Sequence, residues 1–191
     1  MKFNVIVTGC GGQGILTLGR ILARAAFLKG YEVKTCETHG LSQRYGSLQF
    51  HLRFGERIFS PLIKKGDANL VISLEGLESL RVSEYANKQK TILLLNKQVI
   101  KPVTSEKEYD FEEILEKAND IYHKVYVVDA PNIIKELGVD IATSNVLIAG
   151  YGVSKGLIPL EKEVVWKAIT QRIRPQFLEI NKKAFEKAFE L

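Results

Sequence analysis

The chain has 191 residues, of which 46% are hydrophobic and 26% charged, and 27 Lys and Arg against 22 Asp and Glu give a net charge of +5. That apolar content excludes intrinsic disorder, and the size supports a sizeable core without a metal or disulfide staple. No uncharged run approaches the roughly 20 apolar residues of a membrane span, and the N-terminus lacks the pattern of a signal peptide, so the expected location is cytoplasmic.

Residues 3–8 (FNVIVT) are apolar and β-branched and end at glycines, which predicts a short buried strand. Residues 13–29 change period: Ile15, Leu18, Leu22 and Ala25/Ala26 share one helical face, and Gly30 stops the helix. Residues 31–37 predict a second strand. Strand, glycine turn, helix and strand make a βαβ unit whose two strands are expected to be parallel neighbours. Residues 38–46 are polar and aperiodic, hence a loop. Residues 47–54 alternate, with Leu48, Phe50, Leu52 and Phe54 on one face and Ser47, Gln49, His51 and Arg53 on the other. That second face is expected to be solvated, with residues 57–59 returning as a short paired strand.

Strands are further predicted over 69–74, 91–95 and 125–129, with a hairpin-like piece at 98–103. Helices are predicted over 77–86, 111–118, 132–137 and 144–154. The last is nearly all apolar, with Thr143 or Ser144 as its cap. Two amphipathic helices, 160–174 and 176–191, flank Pro175. The fold class is therefore α/β, a Rossmann-like three-layer domain with a mainly parallel sheet over residues 1–158 and a C-terminal helical extension over 159–191 packed on it.

Gly9-Cys10-Gly11-Gly12-Gln13-Gly14 has G-x-G-x-x-G spacing and lies between a strand and a helix, where a phosphate-bearing ligand is favoured. Gly9 would permit the turn, Gly11 a close backbone approach, and Gly14 tight helix–strand packing. Glu37 stands where dinucleotide enzymes often carry a ribose-binding acid. The loop after it gathers Glu37, His39, Ser42, Gln43 and Arg44 past the carboxyl end of a strand, the rim where open α/β sheets place ligands. A glycine turn serving chain geometry alone and a solvated capping loop are the plainer readings. Taken together, the two features favour a site. Neighbouring strands would bring Cys10 and Cys36 close, but two unrelated buried thiols are the simpler reading. Two cysteines cannot supply the usual set of about four ligands for an iron–sulfur cluster or structural zinc. No Ser/His/Asp or Cys/His arrangement is legible, and the interleaved charges give no basic block for nucleic acid.

The run G-C-G-G-Q-G-I-L-T-L-G-R-I-L-A, then E-T-H-G-L-S-Q-R-Y-G-S-L-Q-F-H-L-R-F-G, then S-P-L-I-x-x-G-x-A-N-L-V-I-S-L-E resembles the gamma-type domain of 2-oxoacid:ferredoxin oxidoreductases. Within that family the H-G-L-S-Q-R stretch is closest to the beta subunit of the indolepyruvate enzymes. The resemblance is strongest over 5–81 and continues through Ser144-Asn145-Val146 and residues 181–185. Tyr45 departs from an expected Gly, and Asn69 from the usual Asp. The resemblance implies a subunit that carries no cofactor and is inactive alone. Thiamine diphosphate and the iron–sulfur clusters would sit on a large alpha subunit that decarboxylates arylpyruvates, reduces ferredoxin and forms an aryl-acetyl thioester of coenzyme A. It implies that Gly9, Gly11, Gly12, Gln13, Gly14, Glu37, His39, Ser42, Gln43 and Arg44 face coenzyme A or the partner's active site, with no catalytic residue and no metal ligand assigned. A gamma subunit for pyruvate or 2-oxoglutarate, a free-standing NAD- or FAD-binding protein, and a pure scaffold remain alternatives. So does a homodimer of the isolated chain. Neither nucleic acid nor membrane is expected as a partner.

Overall fold

The computed structural model describes residues 1–39, 46–101 and 107–191. Residues 40–45, with Ser42, Gln43, Arg44 and Tyr45, and residues 102–106, which include the last two of the expected hairpin piece at 98–103, lie outside the described residues. In chain order the elements are β1 (Lys2–Cys10), α1 (Ile15–Leu28), β2 (Glu32–His39), β3 (Ser47–Gly55), β4 (Leu70–Ser73) and α2 (Gly76–Arg81). There follow β5 (Ile92–Asn96), α3 (Phe111–Ile121), β6 (Lys124–Val128), α4 (Ala130–Glu136), α5 (Ser144–Ser154), α6 (Lys162–Arg172) and α7 (Leu178–Lys187).

The strands form one six-stranded sheet in the order β2-β3-β1-β4-β5-β6. The pairs β1–β4, β4–β5 and β5–β6 are parallel, whereas β3 is antiparallel to both neighbours. The expected α/β class with a mainly parallel sheet is present. The expected adjacency of β1 and β2 is not: β3 lies between them, pairing Ile6 with His51 and His51 in turn with Cys36. The βαβ rule fixes the direction of β2 but not its neighbour, and the strongly alternating β3 takes the inner place.

Alternation along the strands divides the core. Val5, Val7, Phe50, Leu52, Leu70, Ile72 and Leu94 pack against α1, α4, α5, α6 and α7 on one face, while Ile6, Val71, Leu93 and Leu95 pack on the other face, where Ala118 and Tyr122 close the core. Burying each such side chain contributes about 1.5–3 kcal/mol. The chain breaks at Pro175, which opens a 3-10 turn (Pro175–Phe177) because proline cannot continue the ladder from α6. Val165, Ala168, Ile169, Ala184 and Phe185 of α6 and α7 join the same core as the sheet, and Trp166 stacks on Phe185 at 5.6 Å. No helix among the described residues is long and apolar enough to cross a membrane.

Three local expectations differ from the structure. Residues 57–59 are not a strand; Phe59 stands exposed, while Ile58 is buried and its N–H bonds Glu32 Oε2 at 3.1 Å. Residues 97–101 form no strand. The hydroxyls of Thr143 and Ser144 donate backwards to the carbonyls of Asp140 and Ile141, so neither caps α5.

The far face of β3 is covered, not solvated. Segment 56–69 folds across it: Arg53 donates to Asn4 Oδ1 and to the carbonyls of Ser60 and Leu62, and His51 is buried. His51 Nδ1 accepts from Ile63 N–H at 3.3 Å, and its ring meets Tyr85 edge-on at 5.1 Å. Burial lowers the His51 value below its ordinary 6.5, with Glu84 opposing weakly. As pH falls, the unfolded imidazole therefore takes its proton first, and stability present above 6.5 is lost as pH drops through that value toward the lower folded one. Urea midpoints taken between about pH 8 and pH 5 should fall with acidification. The slope should shrink in His51→Gln, which keeps an acceptor for Ile63; an unchanged slope assigns the effect to other groups.

Candidate functional site

The carboxyl end of β1 runs into the glycine turn. Gly12 and Gly14 both have left-handed φ, at +103° and +82°, and Gly14 is the N-terminal boundary of α1. A Cβ on Gly14 would lie 2.5 Å from Asn145 Nδ2, so the position is closed to side chains both by conformation and by contact. Gly9 is excluded for a different reason from the turn geometry first expected: it is strand, and a Cβ there would press on Gln13 Oε1 at 2.7 Å and Leu74 at 3.2 Å.

Much of the turn's hydrogen-bonding capacity is spent within the fold. Gly11 N–H donates to the Gly46 carbonyl at 3.0 Å, which ties the turn to the end of the polar loop. Gln13 Oε1 accepts from Cys10 N–H at 2.7 Å, and its Nε2 donates to the Leu74 carbonyl and to Gln98 Oε1, both at 3.0 Å. Asn96 Nδ2 joins the same two acceptors, and Asn96 Oδ1 accepts from Ala130 N–H. This carboxamide network locks together the ends of β1, β4 and β5. Gln13 is thus first a brace for the turn.

Beside the brace lies a cleft of about 350 Å³. The glycine turn and Thr17 form one wall; Thr143 and Asn145 of the α5 entrance and Phe177, Ile180 and Asn181 around α7 form the other. A second cleft of about 240 Å³ adjoins it on the strand side, over Leu74, Asn96 and Gln98, and the two share Gly12, Gln13, Ala142 and Asn145. Their place is the carboxyl edge of the sheet between β1 and β4, where connections leave in opposite directions, the usual ligand crevice of open α/β sheets. Asn145 is 6% exposed, and its amide has no hydrogen-bond partner among the described residues. Asn181 donates to the Phe177 carbonyl and keeps its carbonyl oxygen available. Asp140 caps the turn at Ala142 N–H. Besides the Asp140 carboxylate at the rim, the described walls offer amides, hydroxyls and apolar surface, suited to holding and orienting a largely neutral, hydrogen-bonding ligand.

The expected site residues divide accordingly. Gly12, Gln13 and Gly14 line the cleft, and Gly9 and Gly11 support it from behind. Glu37 does not reach it: β3 intervenes, and the carboxylate takes a paired contact from Arg20 Nε and Nη2 at 3.1 and 2.7 Å. His39 ends β2 opposite Leu48, and Ser42, Gln43 and Arg44 lie outside the described residues. Residues missed at first are Asn96, Gln98, Asn145 and Asn181. The available signal was an amide interrupting an otherwise apolar run, as in SNVLIAG and ILLLN.

Cys10 and Cys36 are both free, and β3 separates the strands that carry them. Burial first, and then the nearby Glu75 and Glu78 carboxylates, push the Cys10 thiol up to about 11. It is protonated at neutral pH and is no nucleophile there.

Residues 4–191 match the family model described as pyruvate ferredoxin/flavodoxin oxidoreductase. The chain is 34% identical over 192 residues to the indolepyruvate oxidoreductase subunit IorB of Archaeoglobus fulgidus, covering 99% of this chain and 94% of that protein. It shares its fold, with a TM-score of 0.73 and 20% identity, with the gamma subunit of keto/oxoacid ferredoxin oxidoreductase from Geobacter sulfurreducens, covering 98% of this chain and 96% of that one. It also matches 2-oxoglutarate:ferredoxin oxidoreductase from Magnetococcus marinus, solved with 2-oxoglutarate, coenzyme A and succinyl-CoA bound. That TM-score is 0.74 at 16% identity, over 98% of this chain and 30% of that one.

Proposed function

The chain belongs to the pyruvate ferredoxin/flavodoxin oxidoreductase family, and we propose that within it this chain is the small, gamma-type subunit of a complex oxidising indolepyruvate and related arylpyruvates. The observation that carries the choice of substrate is its end-to-end similarity to an indolepyruvate oxidoreductase subunit. In the proposed reaction a 2-oxoacid loses carbon dioxide, its acyl carbon is captured by the thiol of coenzyme A, and two electrons pass to ferredoxin. Thiamine diphosphate, when bound, stabilises the carbanion left by decarboxylation, and iron–sulfur clusters carry the electrons. Both are assigned to a large alpha subunit, because two thiols on separate strands cannot make the cluster ligand set.

The contribution proposed for this chain is a wall. The amide-lined cleft receives the slender, amide-bearing arm of coenzyme A, with Asn145 and Asn181 reading its peptide-like groups and Phe177 and Ile180 covering its methylenes. Gly12 and Gly14 bring backbone up to the ligand, and Gln13 keeps the turn rigid. Arg44, with Ser42 and Gln43 beside it in sequence and His39 at the end of β2, is assigned to the coenzyme's phosphates or the partner's active-site rim, whereas Glu37 is left to its pair with Arg20. The complex is assigned to the cytoplasm.

Co-expression with a thiamine- and ferredoxin-type large subunit tests this. The two chains should purify together and reduce ferredoxin only when an arylpyruvate and coenzyme A are both present. Stronger turnover with pyruvate or 2-oxoglutarate would move the substrate within the family. Tight NAD binding by the isolated chain, with no association, would overturn the assignment in favour of a free-standing nucleotide-binding protein.

A further inference from the structure

On the sheet face opposite the cleft, the end of β1 meets the start of α2. Cys10 Sγ and one carboxylate oxygen each from Glu75 and Glu78 lie within 4.8 Å of one another, and all three residues are buried. Each is held by the fold. Glu75 Oε2 accepts from Glu78 N–H at 2.8 Å as the cap of α2, and its Oε1 accepts from Ile100 N–H at 2.9 Å. Glu78 Oε2 accepts from the Ser47 hydroxyl at 2.5 Å, and Oε1 lies 3.3 Å from Arg81 Nη1. The Cys36 thiol finds the Glu37 carbonyl at 3.9 Å, whereas the Cys10 thiol, 7% exposed, has no hydrogen-bond partner among the described residues. An unpartnered buried sulfur thus faces two buried carboxylates, and among the described residues Arg81 is the cation in contact with them.

We propose that Cys10, Glu75 and Glu78 form a binding site for one zinc-class divalent cation. Metal–sulfur and metal–oxygen bonds of about 2.3 and 2.0–2.2 Å place ligands within the separation seen here after a small closure. A thiolate with two carboxylates is a mixed soft and hard set that favours zinc or ferrous iron over magnesium or calcium. With the thiol deprotonated, a divalent ion and Arg81 together balance the three negative charges. Leaving such charges buried and unbalanced would be costly. Each carboxylate oxygen keeps a lone pair after its existing hydrogen bond, so coordination need not break the cap of α2. The ion would fasten the glycine turn to α2 from behind, and this holds whatever 2-oxoacid the complex uses.

The test uses the full-length chain carrying Cys36→Ser, so that Cys10 is the sole thiol, stripped with chelator and titrated with cobalt(II) and then zinc(II). One cobalt per chain should bind with a thiolate-to-cobalt charge-transfer band, and stoichiometric zinc should abolish the band. Glu78→Gln should weaken cobalt binding by at least about tenfold with the circular dichroism unchanged. No charge-transfer band at stoichiometric cobalt would overturn the site and leave a metal-free cluster of one thiol and two glutamates. Equal affinity in Glu78→Gln would overturn it as drawn. If that variant fails to fold, the presence or absence of the band in the parent still decides.

Discussion

Replacing Gly19 by alanine is expected to lower the unfolding free energy by about 1–3 kcal/mol, against a helix-propensity gain of up to about 1 kcal/mol. Gly19 lies in α1 where the helix presses on β3. A Cβ there would stand 2.4, 2.6 and 2.7 Å from three ring atoms of Phe50, which is itself buried. The ring has little room to retreat, because the core around it is shared by β1, β3, α1 and α5. The partner change shows whether that contact is the cause. Phe50→Ala alone should cost about 3–5 kcal/mol through the cavity it leaves. The double variant should cost less than the sum, since the new methyl enters the vacated space, with a coupling of about 0.5–3 kcal/mol. Chemical denaturation of the four proteins measures it. Strict additivity, or a Gly19→Ala variant more stable than the parent, would show that α1 can shift away from the sheet.

This contact also marks how far the sequence alone could be read. The apolar alternation of Leu48, Phe50, Leu52 and Phe54 and the three- and four-residue spacing in α1 predict a strand face and a helix face. They do not say that Gly19 is the point of closest approach. The opposite face of the same strand shows the limit more sharply. Ser47, Gln49, His51 and Arg53 read as solvated because their chemistry is polar. His51 is nevertheless buried under segment 56–69, whose aperiodic residues carry no local signal of where they will lie. Likewise the β1-α1-β2 unit was legible, yet the insertion of β3 between its strands is a long-range pairing that no window of sequence contains.

At the site, the glycine spacing located the cleft, while the atoms that serve it had to be found in three dimensions. Gly11 N–H and the Gln13 amide, which a fingerprint assigns to a ligand, are consumed by Gly46, Leu74 and Gln98. Glu37 is taken by Arg20. The polar groups left facing the cleft, on Asn145 and Asn181, come from sequence more than 130 residues beyond the turn. Their placement follows from α5 and α7 packing against each other and against the sheet, which propensity does not specify.

The role of the cleft is tested at Gly14 and Asn145, which both line it. In the assembled complex, Asn145→Leu is expected to raise the KM for coenzyme A by about tenfold. That corresponds to one lost hydrogen bond of roughly 1–1.5 kcal/mol to an amide-bearing ligand. The KM for the 2-oxoacid should stay unchanged, because the proposed contact is to the coenzyme alone. Gly14→Ala should act in the same direction by another route. Its methyl group, set 2.5 Å from Asn145 Nδ2, pushes that amide out of line, and its left-handed φ of +82° adds about 1 kcal/mol of backbone strain. Gly138→Ala separates the two effects: its φ is +64° and nothing lies within 4 Å of a Cβ there, so it carries the strain without the displacement. Gly138→Ala should therefore lower stability by a similar amount and leave the coenzyme A dependence as it was. If Gly14→Ala and Asn145→Leu both keep the parent KM while the complex assembles normally, the cleft is not the coenzyme's path. The small subunit would then act as a scaffold.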